Sequence, residues 1–278
     1  MRRHLLNGIP RLPFAIITLV VCCRPALADD SKSSSSSSEP NRVALAKPAE
    51  SGGILLARER GKEWKVVGNS DSIYSEDMLL VLPAGRATFI SNNKAVTLSL
   101  WGNLPLSNVP IDESAVVLHE NADVDVDVTL DRGRLLITNS RSKGDAKVRV
   151  HVLDQTWNLT LREPGSSAAL ELFARMPPGT TYKADAKKPA KPSVEVGCLV
   201  TKGSVEFRQE QRMVLLQEPP GPASVRWFSN QGNEVNAMRL TKLPPWIEEG
   251  TPFDKTAYIN TALKHVADEM QKKPVVAE

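Results

Sequence analysis

The stretch "VDVDVTLDRGRLLIT", Val124 to Thr138, decides how the rest of the chain is read. Apolar and polar residues alternate at period two, the pattern of a half-buried strand. Val124, Val126, Val128 and Leu130 fall on one face, and Asp123, Asp125, Asp127 and Thr129 on the other. Asp131-Arg132-Gly133 then reads as a turn, and Gly133 to Thr138 as a second strand. Three carboxylates at two-residue intervals raise calcium as an alternative. Same-face residues of one strand lie roughly 7 Å apart and point in parallel, whereas calcium draws on oxygens converging from several directions. The acids therefore read as a solvated strand face, with Arg132, Arg134 or Arg149 pairing across it.

The same pattern recurs on both sides. Short runs rich in Val, Leu, Ile and Thr predict strands at 54–58, 63–67, 78–82, 86–91, 95–101, 115–119, 124–130, 133–138, 146–152, 156–161, 167–174, 194–200, 203–208, 211–216 and 223–229. Turn sequences such as SNNK, RSKGD and TKG separate them. No helical pattern intervenes at the spacing of a βαβ unit, which argues against a parallel nucleotide-binding sheet. The fold class expected is mainly β: a many-stranded sandwich or a coiled, jelly-roll or solenoid-like β-domain over residues 54–229, with a C-terminal amphipathic helix.

Residues 1–28 predict a secretory signal. Arg2, Arg3 and Arg11 precede the apolar run Phe14 to Cys23, and Ala26-Leu27-Ala28 fits a cleavage site. Arg24 and Pro25 stop the run well short of the roughly 20 residues a membrane span needs. Cleavage lowers the basic count from 35 to 31 against 32 acidic residues, a net charge of −1. No broad electrostatic footprint for nucleic acid remains. Cys198 is then the only cysteine, so the fold rests on its core rather than on an intrachain disulfide, and its apolar strand predicts an inert thiol.

Residues 29–53, with the run SKSSSSSSEP, lack the apolar content to offset their ordering entropy and predict a disordered Ser-rich linker. A Lys- and Pro-rich insert between Tyr182 and Ser193 reads as a solvated loop, and residues 230–250 as a second linker. Over 251–273, Thr251 and Pro252 fit a helix start. Ile259, Ala262, Leu263, Val266 and Met270 share one face, suited to packing on the β-domain.

Candidate chemistry is sparse. His119, His151 and His265 stand in no metal-ligand spacing, Gly165-Ser166-Ser167 does not complete a nucleophile elbow, and neither GxxxxGK[ST] nor GxGxxG occurs. No catalytic, cofactor or metal residue is assigned. Paired carboxylates for glycoside hydrolysis leave no local mark, since the two acids come from distant strands. Trp64, Trp157 and Trp227 share faces with apolar residues and are expected in the core. Trp101 falls on the face of Thr97 and Ser99, which marks it as the one aromatic expected as an exposed surface contact.

Three segments resemble the FecR-like domain of bacterial envelope proteins: "DRGRLLIT" (131–138), "WNLTLREPGSSAALEL" (157–172) and "VGCLVTKGSVEFR" (196–208), the last matching that family's glycine hairpin. The likeness spans about Trp64 to Phe207. Gly165-Ser166-Ser167-Ala168 stands where the family carries its GT-x-F-x-V signature. The resemblance implies a periplasmic, mainly β, non-catalytic interaction domain, and in signalling members of that family a relay toward a cytoplasmic sigma factor. The expected protein is a secreted or periplasmic binding or scaffold protein, fit for envelope sensing, with an envelope protein or a cell-surface polymer as partner. It needs no nucleic acid, no cofactor and no membrane span after cleavage. The alternative is a carbohydrate-active enzyme or carbohydrate-binding module, motivated by Trp101 and the surface acids.

Overall fold

The computed structural model describes residues 42–49, 54–83, 85–102, 113–176, 191–232, 234–244 and 247, all within the unit Pro40–Glu278. Strands make up 61 % of them. In chain order the first nine are β1 (Ala44–Pro48), β2 (Leu55–Arg58), β3 (Lys65–Val66), β4 (Ile73–Tyr74), β5 (Met78–Val81), β6 (Arg86–Ser91), β7 (Val96–Trp101), β8 (Ser114–His119) and β9 (Val126–Asn139). The remaining eight are β10 (Ala146–Val152), β11 (Gln155–Leu161), β12 (Ser167–Arg175), β13 (Ser193–Lys202), β14 (Ser204–Gln209), β15 (Arg212–Gln217), β16 (Pro222–Phe228) and β17 (Val235–Arg239).

The ladders form two sheets that share β9 and do not close into a barrel. In sheet A the order is β4, β1, β6, β7, β9, β12, β13, β16, β17. Sheet B runs β3, β2, β5, β8, β9, β10, β11, β14, β15. All pairings are antiparallel except that of β9 with β10, so the arrangement is mixed. In the C-terminal half the hairpins β10–β11, β12–β13, β14–β15 and β16–β17 alternate between the sheets. The inward faces of both sheets feed one apolar cluster, with Phe89, Leu98, Leu135 and Leu170 from sheet A and Leu79, Val128, Trp157 and Phe207 from sheet B.

The stretch Val124 to Thr138 thus holds one continuous strand where two were expected. Val126, Val128 and Leu130 point into the core before the bend, and Leu135 and Ile137 after it, so the inward parity flips from even to odd. Gly133 makes the flip with a φ of +86°, a conformation that L side chains rarely adopt. A Cβ there would lie 2.2 Å from Ser114 Oγ and 2.5 Å from the Glu113 carbonyl oxygen. Ser114 Oγ donates to the Trp101 carbonyl and accepts from the Arg134 N–H at 2.8 Å, which ties β7, β8 and β9 together at the crossing.

Three further expectations are corrected. The linker expected over 29–53 contains β1, which inserts between β4 and β6, and the linker expected over 230–250 contains β17, paired with β16. Both strands are poor in β-branched residues, and neighbouring strands rather than their own propensity order them. The Gly203 turn expected to close a hairpin instead carries the chain from β13 in sheet A to β14 in sheet B. The signal at 1–28, linker residues 29–41, the helix at 251–273 and most of the insert between Tyr182 and Ser193 lie outside the described residues.

Trp157 and Trp227 are buried as expected, while Trp64 is half-buried beside β3 with the Arg58 guanidinium over its ring at 4.5 Å. Cys198 is fully buried, and desolvation pushes its thiol pKa up to about 12, so it stays protonated and unreactive at neutral pH. No helix among the described residues is long and apolar enough to cross a membrane.

Candidate functional site

The outward residues of the two sheets behave differently. On sheet A, β7 is buried on both faces. Trp101, expected as an exposed contact, is only 5 % exposed, with the Arg86 guanidinium 4.6 Å from its ring centroid. Alternation placed the indole opposite the core correctly, but it carries no information on whether that second face is covered. Burial lowers the pKa of Arg86. Next in register is Arg134, 1 % exposed, whose Nε and Nη2 reach Glu171 Oε1 at 2.8 and 2.7 Å.

Sheet B presents an open polar outer face. The valines of β9 turn inward, so Asp127 and Thr129 turn outward. Register then places Asp127 between His119 of β8 and Arg149 of β10, and Thr129 between Val117 and His151. Antiparallel pairing of β10 with β11 adds Asn158 beside Arg149 and Thr156 beside His151. Directly opposed side chains on adjacent strands lie about 5 Å apart, so these residues touch.

Two carboxylate–imidazole–hydroxyl chains result. Glu76 Oε1 accepts from His119 Nδ1 at 2.7 Å, and His119 Nε2 meets Thr129 Oγ1 at 2.7 Å. Asp127 Oδ1 accepts from His151 Nε2 at 2.8 Å, and His151 Nδ1 meets Thr156 Oγ1 at 3.2 Å. With each carboxylate taking an N–H, the other ring nitrogen of a neutral imidazole accepts the threonine O–H, which assigns both tautomers from the network. The rings meet edge to face with centroids 5.7 Å apart. Arg149 Nη1 lies 3.7 Å from Asp127 Oδ2, and its Nε donates to Asn158 Oδ1 at 3.2 Å.

Acid, base and hydroxyl in sequence resemble the parts of a nucleophilic triad. Such chemistry also needs free donors for an oxyanion. Beside Thr129, β8 and β10 are paired to both sides of β9, so the local backbone N–H groups serve the ladder. What the arrangement does is hold hydroxyl, amide, imidazole and guanidinium groups in fixed orientations on an exposed surface.

The acids do not form a uniformly wet face. Asp123 is exposed, in a bend before β9 begins. Asp125 accepts from Asn93 Nδ2 at 3.0 Å and from the Lys147 N–H at 2.9 Å, and pairs with Arg141. Asp127 is 6 % exposed and also accepts from Asn121 Nδ2 at 2.5 Å. Its burial follows from standing in a central strand with a long side chain on each side. Of the expected partners Arg149 faces Asp127, whereas Arg132 pairs with Glu113 and Asp131, and Arg134 is on sheet A. Asp127→Ala removes the acceptor of His151 and Asn121 and the counter-charge of Arg149. It is expected to cost about 2 kcal/mol and to lower Tm by about 4–8 °C, equally in calcium and in chelator. A calcium-dependent rise in Tm that the variant abolishes would make this strand a metal site. Among the described residues no group of three or more His, Cys, Asp or Glu is placed to hold a metal ion.

Two clefts flank these chains. One, of about 560 Å³, is lined by Arg58, Arg60, Lys62, Glu76, Met78 and His119 among others. The other, of about 480 Å³, lies between Lys147, Asp145, Asn158, Arg162, Glu206 and Arg208. Neither histidine was assigned a role from sequence, because the partners lie 24 residues apart for Asp127 and His151 and 43 for Glu76 and His119. The only available signal was their shared polar parity on predicted strands. No family model, no curated protein and no solved structure matches this chain.

Proposed function

We propose that this chain is a secreted or periplasmic, non-catalytic binding protein that meets its ligand on the outer face of sheet B. The observation that carries this reading is the ordered polar surface from His119 to Asn158, flanked by two clefts, with Thr129 in a central strand whose backbone donors serve the ladder on both sides. Burial of Trp101 removes the residue that motivated a carbohydrate-active enzyme. The FecR-like resemblance is part of the reading. Its turn glycines, Gly133, Gly165 and Gly203, all have positive φ and sit where the chain passes between sheets. Two layers over one core support the sandwich form of the expected architecture, with a hairpin stack in its C-terminal half.

The test uses exported protein, which is expected to begin at Asp29, incubated with a panel of neutral and acidic cell-surface polysaccharides. Retention on at least one polymer with no soluble sugar released is the expected result. Release of product overturns the non-catalytic reading, and an intact Met1 in the membrane fraction overturns export.

A further inference from the structure

The charge on the outer face of sheet B differs from that of the whole chain. Arg58, Arg60 and Lys62 line the first cleft against one carboxylate, Glu76, which already accepts from His119. Lys147, Arg162 and Arg208 line the second against Asp145 and Glu206. Glu206 is shared between Arg162 and Arg208. Arg149 and Asp127 stand between the clefts. With Glu59, which pairs with Lys62 at 2.9 Å, seven cations thus face five carboxylates, and four of those five carboxylates are engaged by neighbouring side chains.

We infer that this face binds an acidic polysaccharide bearing carboxylates, laid across the strands from the first cleft to the second. The inference rests on the binding reading above and gives the ligand its chemical class. From β5 to β14 the path crosses five interstrand spacings, about 24 Å at roughly 4.8 Å each, which suits an extended oligomer rather than a single small molecule. The excess of cations supplies the charge complementarity. The Thr129 and Thr156 hydroxyl oxygens, held in place by the two imidazoles, and the Asn158 amide supply the uncharged hydrogen-bonding groups that sugar hydroxyls need between charged groups. The Arg58 guanidinium, held over Trp64, keeps its planar N–H fork for a bidentate carboxylate. The same contact covers one face of the Trp64 ring, and with a net charge of −1 outside residues 1–28 this weighs against nucleic acid, which asks for free stacking faces and a broad basic footprint.

The experiment measures binding of the full chain to a polyuronate, to the same polymer after carboxyl reduction, and to single-stranded DNA, at two salt concentrations. The polyuronate is expected to bind in a salt-sensitive manner and at least tenfold more tightly than either of the others. Arg60→Ser with Lys62→Ser, on the exposed β2–β3 turn, is expected to weaken that binding about tenfold with an unchanged melting curve. The control pair Lys202→Ser with Arg239→Ser, on sheet A, is expected to leave it unchanged. Equal affinity for the carboxyl-reduced polymer overturns the acidic ligand while leaving sheet B as a binding face. Preference for DNA, no binding to the polyuronate, or equal loss in the control pair overturns the inference, and sugar release strikes instead at the non-catalytic reading.

Discussion

Gly133→Ala is expected to remove more than about 4 kcal/mol of stability, a large share of the 5–15 kcal/mol that holds a typical domain together. Two penalties act together. A φ of +86° costs an L-residue about 1–2 kcal/mol, and the new Cβ would sit 2.5 Å from the Glu113 carbonyl oxygen, a backbone atom that moves only if β8 moves. Gly61 is the control, because its φ is +78° yet a Cβ at that position would meet nothing within 4 Å. Urea unfolding of the two alanine variants should therefore show a small loss for Gly61→Ala and a several-fold larger one for Gly133→Ala. Equal losses would mean that backbone conformation, and not the close approach of β8, sets the requirement for glycine.

The second large effect concerns Arg134 and Glu171. Glu171→Leu takes away the carboxylate that Arg134 Nε and Nη2 both reach and sets a hydrophobic side chain beside a guanidinium that is 1 % exposed, and is expected to cost about 3–4 kcal/mol. Adding Arg134→Met should recover most of that loss, since a buried ion pair replaced by apolar residues of similar size is often neutral. A double-mutant cycle in urea measures the coupling. If the double variant is as unstable as the sum of the single ones, Arg134 draws its stabilisation from groups other than Glu171.

Much of the architecture was legible from alternation. β6 and β10 occupy the residues expected of them, and most of the other strands shift by one or two positions. Alternation separates the two faces of a strand but does not say which faces are covered, hence the misreading of Trp101 on β7. Nor does it distinguish a turn from a strand that changes sheets, because "DRG" suits both until Gly133 is seen pressed against Ser114. β1 and β17 escaped notice because ALAKP and VNAMR have little strand preference of their own. The candidate site was the least legible part. It depends on the parallel register of β9 with β10, and no local turn chemistry specifies how two parallel strands align.

The alternating hairpins of the C-terminal half bear on how the chain is made. Each hairpin from β10–β11 to β16–β17 closes over a few dozen residues at most, and each docks on one already in place, so this half grows outward from β9 by nearest-neighbour addition. The N-terminal half instead depends on distant pairings, β1 with β6 and β5 with β8, whose slow closure precedes their reward. Until β9 has left the ribosome, neither half has its central strand. Newly made chain therefore carries β7 and β8 with an unpaired edge each until β9 is seated, whereas among the described strands of the finished fold the open edges are those of β4 and β17 in one sheet and β3 and β15 in the other.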